Sequence, residues 1–214
     1  MGVIERKERE KIERRNAIIE AAERIFFKIG IENASMEQVA QEAELSKGTL
    51  YLYFKSKEDL YRAIIIKGFI ILKRQLKESI NNTETGFQNV KNISQAYIKF
   101  SHIHTGYFDA ILHYQNDLFT TKDREPEQVK SLESGNAVIG VLIHELEKGI
   151  LDKSIIETIK PIETAFVLWS QLTGLLQVIQ RKMKIIAYHY KIKQIDLFES
   201  YFDLLECSLK KQII

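Results

Sequence analysis

Proline occurs only twice in the 214 residues, at Pro126 and Pro161. Each stands at the front of an apolar-periodic run, in a first helical turn where the missing N–H costs nothing. Through the rest of the chain, apolar residues recur at three- and four-residue spacing, the period of a helix buried along one side. Ten glycines are few for a protein built from strands and tight turns. The reading is an all-α chain of about nine helices.

At 45% hydrophobic residues, the chain can bury a core. Cys207 is the single cysteine, so no internal disulfide framework exists and a reducing, cytoplasmic setting is expected. The N-terminus, MGVIERKEREKIERR, is charged, and no uninterrupted apolar run reaches the roughly 18 residues of a membrane span. No membrane partner is expected. The net charge of +2 gives no global hint of a polyanionic partner, and the first sixty residues hold eleven basic against twelve acidic side chains. The informative charge is local: Ser46 to Lys57 carries Lys47, Lys55 and Lys57 and no acid.

From Arg14, the residues Ile18, Ala22, Ile25 and Ile29 mark a first helix that stops at Gly30. Ser35 with Gln38 forms a capping box for a short second helix running to about Ala43. Ser46 caps a third helix of barely two turns, ending near Tyr53, and Ser56 caps a fourth that continues to Asn81 and Asn82. Further helices are expected over Phe87–His104, Tyr107–Phe119, Glu127–Ile150, Pro161–Met183 and Gln194–Lys210. TTKDRE (120–125) reads as an exposed linker, and the basic groups between Arg181 and Lys193 read as a solvated connection.

A short helix, a tight turn and a second short helix, braced by a longer one, describe a helix-turn-helix reading head. The second short helix needs small or polar residues in its first turn, supplied by Ser46, Lys47, Gly48 and Thr49, while Leu50 and Phe54 hold it to the domain. Gly48 costs about 1 kcal/mol of helix stability against alanine but lets the backbone come close to a groove wall. Tyr51, Tyr53, Lys55 and Lys57 offer long reach and terminal donors of the kind phosphate oxygens accept, and Lys57 stands at the positive end of the fourth helix.

Through IIEAAERIFFKIG, ASMEQVAQEAELSKGTLYLYF and KSKEDLYRAI, from Glu13 to Tyr61, the chain resembles the TetR family of bacterial transcriptional regulators. Beyond Ala63 the resemblance is one of helix number and length. It implies a DNA-binding domain over 1–55 and a larger helical domain for ligand binding and dimerisation over 56–214. It further implies a homodimer that holds palindromic double-stranded operator DNA and is released by a small molecule. By the same resemblance, Lys47, Gly48, Thr49 and Tyr51 meet bases and nearby backbone, Tyr53 and Lys57 clamp phosphates, and Ser35 and Glu37 touch backbone or an outer base. Glu37 is awkward there, since a carboxylate repels phosphate unless it accepts from a cytosine amino group.

Two helices near the end look built for self-association. That from Pro161 turns Leu168, Trp169, Leu172 and Leu176 to one side and a low face of Val167, Ser170, Gly174 and Val178 to the other. The last helix adds a stripe of Phe198, Tyr201, Phe202, Leu205 and Leu209, and the two helices from two chains would make a four-helix interface. Polar residues on apolar faces suggest an aromatic-lined ligand cavity, with Tyr97, Ser101, His104, Gln115 and Asn136 as orienting groups and Phe108 and Trp169 in its walls. The alternative is that those groups bond to one another, leaving a regulator without an effector; a helical sensor that no longer binds DNA is a further one.

Asp109, His113 and Asp117 share a helix face, read as exposed pairing and not as a metal site. His102 and His104 diverge by about 200° on a helix. No nucleophile elbow, P-loop or zincin motif occurs, so no enzyme activity, catalytic residue, metal or cofactor is expected.

Overall fold

The computed structural model describes residues 2–113 and 126–211. Among these the chain forms nine helices: α1 (Val3–Ile29), α2 (Met36–Glu42), α3 (Lys47–Tyr51), α4 (Lys57–Glu78), α5 (Gly86–Ile103), α6 (Thr105–His113), α7 (Pro126–Leu151), α8 (Pro161–Tyr190) and α9 (Gln194–Leu209). The one β-type pairing among them is an isolated antiparallel bridge between Ile155 and Lys210. The fold class is therefore as the sequence indicates. Gln115, Asp117 and the TTKDRE segment lie outside the described residues.

Two helices are longer than expected. α1 begins at Val3 and not near Arg14, because its first turns are held by charge and not by an apolar stripe. Arg6 Nε lies 2.8 Å from Glu10 Oε1 and Arg9 Nε 3.8 Å from Glu13 Oε1, both at i,i+4. α8 runs past Met183 to Tyr190. Of the basic residues expected to form a connection, Arg181, Lys182 and Lys184 are helical and exposed, while Lys191 and Lys193 do lie between α8 and α9; the helix stops where Lys191 takes φ 59°.

The chain divides into two compact units, Met1–Ile70 with His104–Ser134, and Ile71–Ile103 with Gly135–Ile214. The first unit continues past residue 55, where a division is expected from the sequence, to Ile70. Leu60 and Ile64 of α4 are fully buried in the first unit, with Ile18, Ala22, Val39 and Leu50.

In the first unit α1 braces the short helices. Phe54 is buried, and the Arg15 guanidinium lies 4.9 Å from its ring centroid. Tyr107 of α6 donates to Glu23 of α1 at 2.7 Å, and Lys67 of α4 reaches the other carboxylate oxygen at 2.9 Å.

In the second unit α5 and α7 meet without an intervening side-chain layer. A Cβ on Gly86 would collide with the backbone of Gly149. Beside this contact, Asn89 donates to Glu145 at 2.8 Å and to the Asn81 carbonyl at 3.1 Å. Asn89 and Glu145 are both buried, so the carboxylate needs this donor. Asp152 accepts from Gly86 N–H at 2.7 Å and fixes the start of α5. The core is completed by Phe100, Leu146, Ala165, Leu172, Leu176 and Leu205.

Candidate nucleic-acid interface and ligand cavity

Local chemistry positions the reading helix. At the start of α2, Gln38 N–H donates to Ser35 Oγ at 3.2 Å and Ser35 N–H to Gln38 Oε1 at 2.9 Å, the reciprocal box read from the sequence. α2 ends in a turn where Leu45 N–H reaches the Ala40 carbonyl at 2.9 Å and Glu44 N–H the Gln41 carbonyl at 3.1 Å. This pair of bonds is a Schellman closure, and it places Glu44 at φ 55°, where glycine is favoured. Sequence reasoning missed this strained position because glutamate carries no signal for it.

α3 is capped by Ser46, whose Oγ accepts from Thr49 N–H at 3.1 Å and lies 2.8 Å from Thr49 Oγ1. Leu50 and Phe54 are buried as expected, which turns Lys47, Gly48, Tyr51 and Leu52 outward. Tyr53 is half-buried and Lys55 exposed. Lys47 and Glu37 approach to 3.9 Å as an exposed pair, so the awkward carboxylate has a cation beside it on the same surface. Leu52, 84% exposed, was not singled out from the sequence; its position just past α3 is the only signal that marks it.

Gly48 is the telling residue. A Cβ there would meet nothing nearer than Ser46 Oγ at 3.9 Å, so the chain's own packing does not require a glycine. Lys57 is differently placed from the free phosphate clamp expected of it. Its ammonium donates to the carbonyls of Ile31 at 2.8 Å and Ala34 at 3.2 Å, tying α4 to the loop before α2. At most one N–H remains for a phosphate.

The second unit holds a cavity of about 40 Å³ bordered by Ile93, Ser94, Tyr97, Leu142, Trp169 and Tyr201. That is space for about one or two waters. Tyr97 Oη lies 3.0 Å from Thr173 Oγ1, and burial raises the Tyr97 pKa despite that bond. Burial likewise raises that of Tyr201, partly offset by Ser94. Of the expected lining, Tyr97 and Trp169 are present. Ser101 instead turns back to the Ile98 carbonyl at 2.8 Å, Asn136 is exposed, and His104 and Phe108 belong to the other unit. Gln115 is outside the described residues.

The expected low face of α8 is open in the single chain: Val167 is 55% and Val178 40% exposed, and Ser170 and Gly174 are exposed beside them. The α9 stripe needs correction. Tyr201, Leu205 and Leu209 are buried in their own unit, Phe198 and Phe202 are half-buried, and Leu204 faces solvent. The stripe is too wide for one face, and its inner half is spent on the subunit core.

The family model described as "Bacterial regulatory proteins, tetR family" matches residues 18–64, from the buried half of α1 into α4. Residues 18–64 are thus a TetR-family N-terminal domain. Among relatives, the chain is 31% identical over 93 residues to an uncharacterized HTH-type transcriptional regulator, YhgD, of Bacillus subtilis, a match over 44% of this chain and 49% of that one. It is 30% identical over 119 residues to the HTH-type transcriptional activator FasR of Mycolicibacterium smegmatis, over 55% and 52% of the two chains. The chain thus spans about half the length of the curated relatives it matches. The likeness in fold extends further: the structure of the transcriptional regulator FadR from Bacillus subtilis in complex with stearoyl-CoA aligns with a TM-score of 0.66 at 18% identity, covering 88% of this chain and 96% of that one.

Proposed function

We propose that this chain is a cytoplasmic, sequence-specific DNA-binding transcriptional regulator of the TetR family. In this reading it represses from a palindromic operator as a homodimer and is released by a small apolar or amphipathic ligand. The observation that carries DNA binding is Gly48: a helix-destabilising residue held on an outward face that also presents Lys47 and Tyr51, at a point where no intramolecular neighbour needs the space. A backbone laid against a groove wall does need it. Lys47, Thr49 and Tyr51 then address bases and adjoining backbone, Tyr53 and Lys55 address phosphates, and Leu52 supplies an apolar contact of the kind a thymine methyl accepts. Lys57 acts chiefly as a brace. Ser35 and Glu37 line the outer edge. No enzyme activity is proposed.

A single short reading helix makes few contacts, and two of them about one helical turn apart share a palindrome. The open α8 face with Val167, Ser170, Gly174 and Val178, joined by Phe198, Phe202 and Leu204 of α9, is the self-complementary surface proposed to pair them. The FadR neighbour's stearoyl-CoA motivates an amphipathic, acyl-bearing ligand as the first class to try in the cavity beside Tyr97 and Trp169. A 40 Å³ space admits such a ligand only if these side chains swing away. That same fullness favours a second reading, a regulator without an effector.

The test is selection of the purified protein on random duplex DNA at two salt concentrations. Enrichment of a palindrome with salt-sensitive affinity supports the dimeric reading head; folded protein that enriches no sequence overturns it. Trp169 is the only tryptophan and borders the cavity, so its fluorescence reports ligand entry. Acyl-CoA that shifts this emission and releases the selected DNA supports the induced repressor. Emission unmoved by acyl-CoA and by free fatty acid favours the second reading.

A further inference from the structure

From Ile4 to Arg14, α1 is an exposed helical arm that reaches beyond the point where its packing begins, at Arg15 over Phe54 and at Ile18. An arm of this kind has either no task or an external one. Its charges are not spread evenly round the helix. Arg6 with Glu10 and Arg9 with Glu13 form ion pairs on one side, which leaves that side neutral. At 100° per residue, Lys7, Lys11 and Arg14 fall together on the other side, exposed, at the i, i+4, i+7 spacing of a single stripe. Two acids flank this stripe: Glu8, about 60° round from Lys11, and Glu10, about 40° round from Arg14 and held by Arg6 on its other side.

The stripe has a definite direction. Continued by four residues it reaches Ile18, and by four more Ala22, both fully buried against the reading domain. The face of α1 that carries the domain's core therefore carries cations once it runs out beyond the domain. It leaves the domain beside the proposed interface: Arg15, next to Arg14, lies over Phe54, and Phe54 sits between Tyr53 and Lys55.

We infer that the arm is a second nucleic-acid contact, in which Lys7, Lys11 and Arg14 lie along the phosphates of duplex DNA flanking each half-site. This rests on the DNA-binding reading above and adds a surface to it. Lys7 to Arg14 rises roughly 10 Å along the helix, about three base-pair steps of 3.4 Å. The contact is indifferent to sequence and sensitive to salt, because cations that neutralise phosphates release condensed counterions. It lengthens the protected site without adding to the consensus.

The experiment compares the full chain with Lys7→Gln/Lys11→Gln/Arg14→Gln and with the opposite-face variant Arg6→Gln/Arg9→Gln, on a selected operator with and without flanking duplex. Circular dichroism confirms that each remains helical. Each lost phosphate contact flattens the slope of log affinity against log salt by about 0.9. The stripe variant is expected to lose about 2.7 per arm, roughly a 40-fold effect per arm across a fourfold change in salt, and to become insensitive to removal of the flanks. The opposite-face variant keeps a near-normal slope. Equal slopes for the full chain and the stripe variant overturn the arm while leaving the reading head intact. Equal losses in both variants also overturn it, since net charge and not a directed face is then responsible. Absence of DNA binding by the full chain overturns both proposals.

Discussion

The Tyr107 hydroxyl donates to Glu23 across 84 positions of sequence, at 2.7 Å, and so fastens α6 to α1 inside the first unit. Lys67 holds the second oxygen of the same carboxylate, and an added Cβ at Gly106 would lie 2.5 Å from the Phe27 ring. Burial, with the adjacent Glu23 carboxylate, pushes the Tyr107 pKa well above the usual phenol value. The phenol therefore stays protonated and donating at every physiological pH. Tyr107→Phe keeps the ring and removes a hydrogen bond to a charged acceptor, a loss of about 1.5–3 kcal/mol. Equilibrium denaturation should show it, and an unchanged midpoint would mean the bond contributes nothing net.

Glu44 occupies left-handed backbone between α2 and α3. Glu44→Gly relieves a conformation that costs a non-glycine residue about 1–2 kcal/mol, so the melting temperature should rise even though a side chain is lost.

At Gly48 stability and binding are expected to part company. Gly48→Ala gains up to about 1 kcal/mol of helix propensity with open space for its methyl group. A higher melting temperature with weaker operator binding is the expected pair of results. Stronger binding would remove the argument for close backbone approach.

Lys57→Met distinguishes a brace from a phosphate clamp. Two carbonyls lose their donor, so stability should fall by about 1–3 kcal/mol, while the salt slope of DNA binding changes by no more than one contact's share, about 0.9.

Asp152 and Glu58 set an acid limit. Burial alone would raise the Asp152 pKa, but the Ser154 hydroxyl, the N–H groups of Gly86 and Ser154 and the Lys148 charge together bring it below its ordinary 3.8. Glu58 is lowered from 4.5 mainly by its backbone hydrogen bond and by Ser56. A depressed carboxylate pKa stabilises the fold in full above the unfolded value and ceases to do so as pH falls through the folded one. Stability should be flat above about pH 5 and decline below 4.5 and then 3.8. Asp152→Asn, with no charge to lose there, should flatten the lower part of the decline in urea titrations.

On the open face of α8, Val167→Arg/Val178→Arg alters exposed positions only and should leave the subunit folded. If the proposed homodimer forms through this face, sedimentation should show dimer for the parent chain and monomer for the variant; dimer for both would overturn the α8 interface.

Legibility followed the range of the interaction. The Ser35–Gln38 box, the Ser46 cap and the Ser56 cap of α4, seen as Asp59 N–H to Ser56 Oγ at 3.1 Å, act within one turn and were readable directly. The buried pair Leu50 and Phe54 followed from periodicity, and with it the outward set on α3. Periodicity does not give depth: it placed Asn136 in a cavity when it faces solvent, and it assigned all of the α9 stripe to a partner when Tyr201, Leu205 and Leu209 serve the chain's own core. Ladders of opposite charge extend a helix without apolar signal, which hid the first turns of α1. Contacts between distant segments, such as Lys57 with Ile31 and Tyr107 with Glu23, leave no mark in local sequence.

The glycine contact between α5 and α7 has a mechanical meaning. From Gly86 and Gly149 the two helices run antiparallel, through Asn89 and Glu145 to Ile93 and Leu142 at the cavity wall. With no compressible layer where the backbones touch, that point is a fulcrum, and the cavity lies roughly 10 Å along both arms at 1.5 Å per residue. A guest that pushes Ile93 and Leu142 apart opens these two helices like scissors. The displacement it causes grows with distance from the pivot and is largest at the far blades, beyond Tyr97 on α5 and Val138 on α7.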